Sequence, residues 1–286
     1  MTALLTETAR AKINLTLRVV GCRADGYHDL ESLVAFADVA DTLTLDPGAD
    51  LGLDVSGPFA AVSGDTADNL VLKAHAALSA DVAGLKAGHF ALEKNLPVAA
   101  GIGGGSADAA AALRLLARVN GLAFDDARLM TAALKVGADV PVCLASRACV
   151  MTGVGERLTP PLHLPRLPAV LVNPGVLLAT RDVFSAYAGT AAAGPSLGNV
   201  PRQPGALIEF LKTHGNDLTE AAIVRAPVVG EVLNALAALP GVQLTRMSGS
   251  GSTCFALLAS DEDAAAAARR LRAERRDWWV VATNVG

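Results

Sequence analysis

The segment Pro97-Val98-Ala99-Ala100-Gly101-Ile102-Gly103-Gly104-Gly105-Ser106-Ala107 constrains this chain more than any other. It lies between Phe90–Lys94, which predicts a strand, and the alanine- and leucine-rich Ser106–Val119, which predicts a helix ended by Asn120-Gly121. Glycine lets the backbone curl until several N–H groups converge, and the positive end of the following helix adds to them. A strand, glycine loop and helix in that order therefore suit an anion. Ser106 opens the predicted helix, where its hydroxyl can cap the helix or reach a phosphate or its magnesium ion. One or two glycines would suggest only a flexible turn; four with a serine in this setting favour a phosphate site. Two better-known phosphate loops are excluded. No Gly-x-x-x-x-Gly-Lys-[Ser/Thr] occurs, and the dinucleotide pattern Gly-x-Gly-x-x-Gly fails at Ser106.

Transfer of a phosphoryl group to an alcohol needs charge neutralisation, positioning and a group to take the hydroxyl proton. Two residues are candidates. Ile13, Leu15, Leu17 and Val19 alternate with Asn14, Thr16 and Arg18, which predicts a strand with one buried face, and Lys12 shares the opposite, polar face with Asn14. Asp139 follows a helix-stopping Gly137 and precedes Val140-Pro141. Taken alone, a solvated strand lysine and a helix-capping aspartate are the simpler readings. A second glycine–serine loop, Ser248–Ser252, suits a ligand with phosphates on both sides of a cleft, or equally a tight hairpin between two strands.

The rest of the pattern mixes strands and helices. Arg23–Gly26 predicts a turn, followed by short strands at Leu30–Phe36, Thr42–Leu45 and Leu51–Val55. Helices are expected over Asn69–Val82, Asp125–Val136, Arg181–Tyr187 and Glu262–Arg275. Strands are expected near Ala148–Thr152, Ala169–Val172, Val242–Arg246, Thr253–Leu258 and Trp278–Ala282. The fold class is α+β in two parts, residues 1–160 and 161–286, with Gly189–Gly205 as a mobile connection. Of 286 residues, 52% are hydrophobic and 18% charged, enough for a substantial core. A net charge of −4 gives no general attraction to nucleic acid or anionic membranes, so an anionic substrate needs a local positive site. Cys22, Cys143, Cys149 and Cys254 are scattered and have no metal-ligand spacing, which fits a reducing compartment and no protein-held metal. No signal peptide or membrane span is expected. The expectation is a cytoplasmic protein, monomer or homodimer.

Ala11-Lys12-Ile13-Asn14-Leu15, Arg23-Ala24-Asp25-Gly26-Tyr27-His28, the Pro97–Ala107 loop, Gly137-Ala138-Asp139-Val140-Pro141 and Ser248-Gly249-Ser250-Gly251 occur in that order. Together they resemble the GHMP kinase superfamily over nearly the whole chain. The resemblance implies a ribosomal protein S5 domain 2-like N-terminal domain, a ferredoxin-like C-terminal domain and an active site in the cleft between them. The Lys-Ile-Asn strand and the Asp-Gly-Tyr-His turn narrow the resemblance to members whose acceptor carries a cytidine diphosphate. The implied reaction is ATP-dependent phosphorylation of the 2-hydroxyl of 4-diphosphocytidyl-2-C-methyl-D-erythritol, in the non-mevalonate route to isoprenoid precursors. It makes Asp139 the catalytic base, Lys12 its cationic partner, and Pro97–Ala107 the ATP loop, with magnesium arriving on the nucleotide. The substrate contacts it implies are Asn14, Tyr27, His28, Thr180, Phe184, Ser248 and Gly249, with Tyr27 and Phe184 on the two faces of the cytosine. Val34 stands where relatives often carry an aromatic. The alternatives are another kinase of the superfamily, acting on mevalonate, a sugar or homoserine, and a non-catalytic nucleotide sensor, which would have lost Lys12 or Asp139.

Overall fold

The structure is a computed structural model that describes residues 3–24, 26–189 and 196–286. Part of the expected Gly189–Gly205 connection and Asp25 of the predicted turn lie outside the described residues. The chain forms two compact units, each drawn from separated segments. Unit 1 takes Met1–Ala11, Ala40–Val98 and Gly103–Ser146; unit 2 takes Lys12–Val39, Ala99–Ile102 and Arg147–Gly286.

Unit 1 holds the start of β1 (Leu5–Asn14), the second half of β3 (His28–Asp46), β4 (Gly52–Ser56) and β5 (His89–Glu93). β5 pairs antiparallel with Thr42–Asp46 of β3 and parallel with β4. Its helices are α1 (Leu70–Ser79), α2 (Gly104–Asn120), α3 (Ala127–Val136) and α4 (Val140–Ala145). Side chains cap α1 and α3: Asn69 accepts from the Val71 N–H and Asp126 from the Arg128 N–H. α2 is buried from Ala107 to Leu113 and again from Leu115 to Ala117, and it packs against α1, α3 and α4. An alanine-rich helix of this kind lets neighbouring helices approach closely on several sides.

Unit 2 holds β2 (Arg18–Cys22), the first half of β3, β6 (Cys149–Gly153), β7 (Arg157–Leu158), β8 (Leu167–Asn173), β9 (Val242–Met247), β10 (Cys254–Leu258) and β11 (Trp279–Val285). Its helices are α5 (Thr180–Ala186), α6 (Pro204–Thr213), α7 (Thr219–Arg225), α8 (Val228–Ala237) and α9 (Asp261–Glu274). The strands run in the order β11-β8-β10-β9, all antiparallel. Val170 and Val172 of β8, Val229 and Val232 of α8, and Leu271 of α9 share one apolar core.

Three sequence expectations change. The strands read at Leu30–Phe36 and Thr42–Leu45 are one strand, β3, of 19 residues. The two aspartates between them look like a break, but Asp38 is exposed and the buried Asp41 carboxylate accepts two backbone N–H groups. The polar face of the first strand is not solvated: Lys12, Asn14 and Thr16 are nearly inaccessible. Thr16 is accommodated there because its hydroxyl accepts from the Leu33 N–H while its carbonyl accepts from Ser32. Finally, Ser106 does not open α2. The helix starts two residues earlier, at Gly104, and its N-cap is Gly103.

Candidate active site

In unit 1 the glycine loop leads into α2 through Gly103, whose φ of 64° is left-handed and therefore suited to glycine. Glycine has no side chain, so no side-chain hydrogen bond caps α2. The first-turn N–H groups and the positive helix end remain suited to an anion. Ser106 is the third helical residue and half-buried, within that first turn. Asp139 is the N-cap residue of α4, and its half-buried carboxylate makes no capping hydrogen bond. Pro141, in the first turn of α4, needs no donor there.

Beneath the start of α2 lies a charge cluster that sequence reasoning missed. The Lys94 ammonium contacts Asp41 Oδ2 at 2.5 Å and Asp108 Oδ2 at 2.8 Å. All three residues are buried. Asp41 Oδ1 also accepts the N–H groups of Asn95 and Leu96. Burial pushes Lys94 down, but the two carboxyl groups outweigh it and raise its pKa overall. Burial raises Asp108 to about 7, with Asp41 adding to the rise and Lys94 opposing it. The available signal was a single aspartate inside an alanine-rich helix.

In unit 2, Lys12 is buried and its N–H donates to the Ile102 carbonyl of the glycine loop. Its charge opposes the burial that raises the neighbouring Cys149 thiol to about 11. Asn14 Nδ2 donates to Ser32 Oγ at 2.7 Å, and that hydroxyl donates on to the Thr16 carbonyl. This chain fixes the amide orientation and leaves Asn14 Oδ1 buried with no hydrogen-bond partner. An unmatched buried acceptor is costly unless a ligand supplies the donor.

The Ser248–Ser252 loop joins antiparallel β9 and β10, so the hairpin reading holds for its backbone, and it packs on the glycine loop. Ser248 Oγ donates to the Gly101 carbonyl and accepts the Asn14 N–H. The expected substrate contact at Ser248 is thus already a tie between two site segments. A Cβ on Gly101 would stand 2.3 Å from the Ser248 carbonyl oxygen, and one on Gly249 would stand 2.8 Å from that of Gly101. Asn216 Nδ2 holds the Met247 and Gly249 carbonyls, a second feature that sequence reasoning did not assign to the site. Thr180, at the start of α5, shares a 3.0 Å hydrogen bond with Ser250.

The aromatic residues gather beside α5. His28 stacks on Phe184 with centroids 5.0 Å apart, and Tyr187 meets His28 edge-on at 6.3 Å. Tyr27, next along the turn, is 64% exposed, so it is His28 that covers the Phe184 ring. Val34 is fully buried in β3.

Residues 69–147 match the GHMP kinases N terminal domain and residues 202–277 the GHMP kinases C terminal domain. The chain belongs to the GHMP kinases. It is 60% identical to the 4-diphosphocytidyl-2-C-methyl-D-erythritol kinase of Rhodopseudomonas palustris (strain HaA2), over 99% of each chain. It is 59% identical to the kinase of the same name from Bradyrhizobium diazoefficiens, over 96% of each. Among solved structures, a 4-(cytidine 5'-diphospho)-2C-methyl-D-erythritol kinase shares 36% identity with a TM-score of 0.81, covering 99% of both chains. A homoserine kinase from Cytophaga hutchinsonii, at 19% identity and a TM-score of 0.72, shares the GHMP kinase fold. As a GHMP kinase the chain is an ATP-dependent phosphotransferase.

Proposed function

We propose that this GHMP kinase transfers the γ-phosphate of ATP to the 2-hydroxyl of 4-diphosphocytidyl-2-C-methyl-D-erythritol. Relatives bearing that kinase's name match nearly the whole chain. The structural observation that carries the substrate is the aromatic group of His28, Phe184 and Tyr187, with the exposed Tyr27 next to His28 in sequence. A pyrimidine needs flat apolar faces and a polar edge, and mevalonate, galactose or homoserine needs neither. Asn14 Oδ1, buried and unmatched, accepts a hydroxyl or amino hydrogen of the substrate.

Each remaining residue has a role in the transfer. The loop N–H groups and the α2 terminus hold the ATP phosphates. Asp139 takes the proton of the 2-hydroxyl as its oxygen bonds to the γ-phosphorus. The bond from that phosphorus to the β,γ-bridging oxygen breaks, and ADP leaves with the electron pair. Lys12 stabilises the negative charge that develops on the attacking oxygen. Among the described residues, no three His, Cys, Asp or Glu side chains cluster to hold a metal. Magnesium would arrive with ATP, the half-buried Ser106 hydroxyl being the residue that would contact it, and it would supply charge neutralisation. No helix among the described residues is long and apolar enough to cross a membrane.

The test is ADP release with ATP and magnesium, comparing the cytidyl compound with mevalonate, galactose and homoserine. Turnover on the cytidyl compound alone is expected. Turnover on another alcohol instead would keep the kinase and remove the substrate assignment.

A further inference from the structure

We infer that Asp41, Lys94 and Asp108 form a clamp that positions the helix end of the phosphate loop, with Asp108 as the residue that ties α2 to it. This rests on the loop's role in holding ATP. Asp41 sits on β3, Lys94 just beyond β5, and Asp108 on α2, so one ammonium joins three elements of unit 1. The same Asp41 carboxylate binds the N–H groups of Asn95 and Leu96, the residues that lead into Pro97. The chain is therefore held immediately before the loop by Asp41 and immediately after it by Asp108, through a common lysine.

The cluster also lies directly under the first turn of α2. A Cβ on Gly104 would stand 3.4 Å from Lys94 Nζ and 3.8 Å from Asp41 Oδ2. The backbone at Gly104 thus rests against the clamp, and its N–H belongs to the turn that receives the phosphates. A buried cluster with one cation shared by two carboxyl groups is weak evidence for stability, because desolvation offsets the attraction. Its geometry serves instead to fix where the first turn stands. The clamp residues are positioning residues; none is assigned a contact with ATP.

Calorimetric titration with ATP and magnesium, without acceptor, tests this on Asp108→Ala, Asp108→Asn and Gly103→Asp, each checked for folding by circular dichroism. Asp108→Ala removes the tie and should weaken ATP binding about tenfold, the worth of one charge-assisted hydrogen bond. Asp108→Asn keeps an oxygen for Lys94 and should stay within about twofold. Gly103→Asp puts a carboxylate at the phosphate end of α2 and should abolish binding. If Asp108→Ala fails to fold, Asp108→Leu, which fills the same space, takes its place. Unchanged ATP affinity in Asp108→Ala, with binding lost in Gly103→Asp, would overturn the clamp and leave the loop reading intact. Equal weakening by Ala and Asn would also overturn it, because Asn retains the tie. Unchanged affinity in Gly103→Asp would overturn the loop reading itself.

Discussion

Asp139 and Asp108 differ by the service each carboxyl group gives. Asp139 heads α4 without a side-chain capping hydrogen bond, and the proposed role as proton acceptor is lost when asparagine replaces it while the size of the side chain is kept. Asp139→Asn should keep ATP affinity and lose about 10²–10⁴ in turnover, the usual worth of general-base assistance, measured by ADP release alongside ATP titration. Asp108 offers a pH test. Folded, it holds its proton to about 7, against an ordinary value of 3.8. Between those values the folded chain binds more protons than the unfolded chain, so this group's contribution is full at low pH and falls as pH rises through that window. Asp108→Asn cannot ionise. Its melting temperature should match the parent at pH 4 and exceed it by a few degrees above pH 8; an equal gain at both would show that Asp108 does not titrate in that range. At this scale the sequence offered candidates for the chemistry but not their surroundings. Lys12 taken alone reads as a solvated strand lysine, and only the fold reveals that it and Asn14 are buried. Lys94 lies just beyond β5 and Asp108 sits one helical turn into α2, and no local pattern links them to Asp41.

Elements were more legible than residues, because periodicity and caps act locally. Asn69 before α1, Asp126 before α3 and Ser260 before α9 are side chains that announce helix starts, and those helices begin within two residues of where the sequence placed them. The start of α2 was misplaced because its N-cap is a glycine, which leaves no side-chain signal. β3 was read as two strands because a buried aspartate looks like a break until its partners are known. The Gly101–Ser248 contact also belongs to this scale, since it joins two loops through their backbones. Gly101 has a φ of 74° and no room for a Cβ. Gly101→Ala adds backbone strain to a clash with a carbonyl, and should destabilise the protein by about 2–3 kcal/mol in urea unfolding. Ser248→Ala removes only the hydroxyl tie and should cost less. If the two variants cost the same, the close packing of the loops is not what requires glycine at position 101.

At the scale of the whole molecule, the chain passes back and forth between its units, and β3 contributes pairing to both. Sequence reading places the division near 160, where the pattern of elements changes, because a linear scan cannot see that Lys12–Val39 packs with residues far along the chain. We retain 1–160 and 161–286 as a proposal for functional division. The order of strands in unit 2 has a consequence for how the protein is made. β11, Trp279–Val285, lies between β3 and β8, with Val285 against Ala37 and Trp279 against Asn173. A ribosome therefore releases the middle of this sheet after both of its flanks. Until then β3 and β8 each present an unpaired edge, which is when a nascent chain is most open to chaperones and to mispairing. A message cut short before Trp279 would encode every residue assigned to the chemistry and still leave that sheet with an open gap.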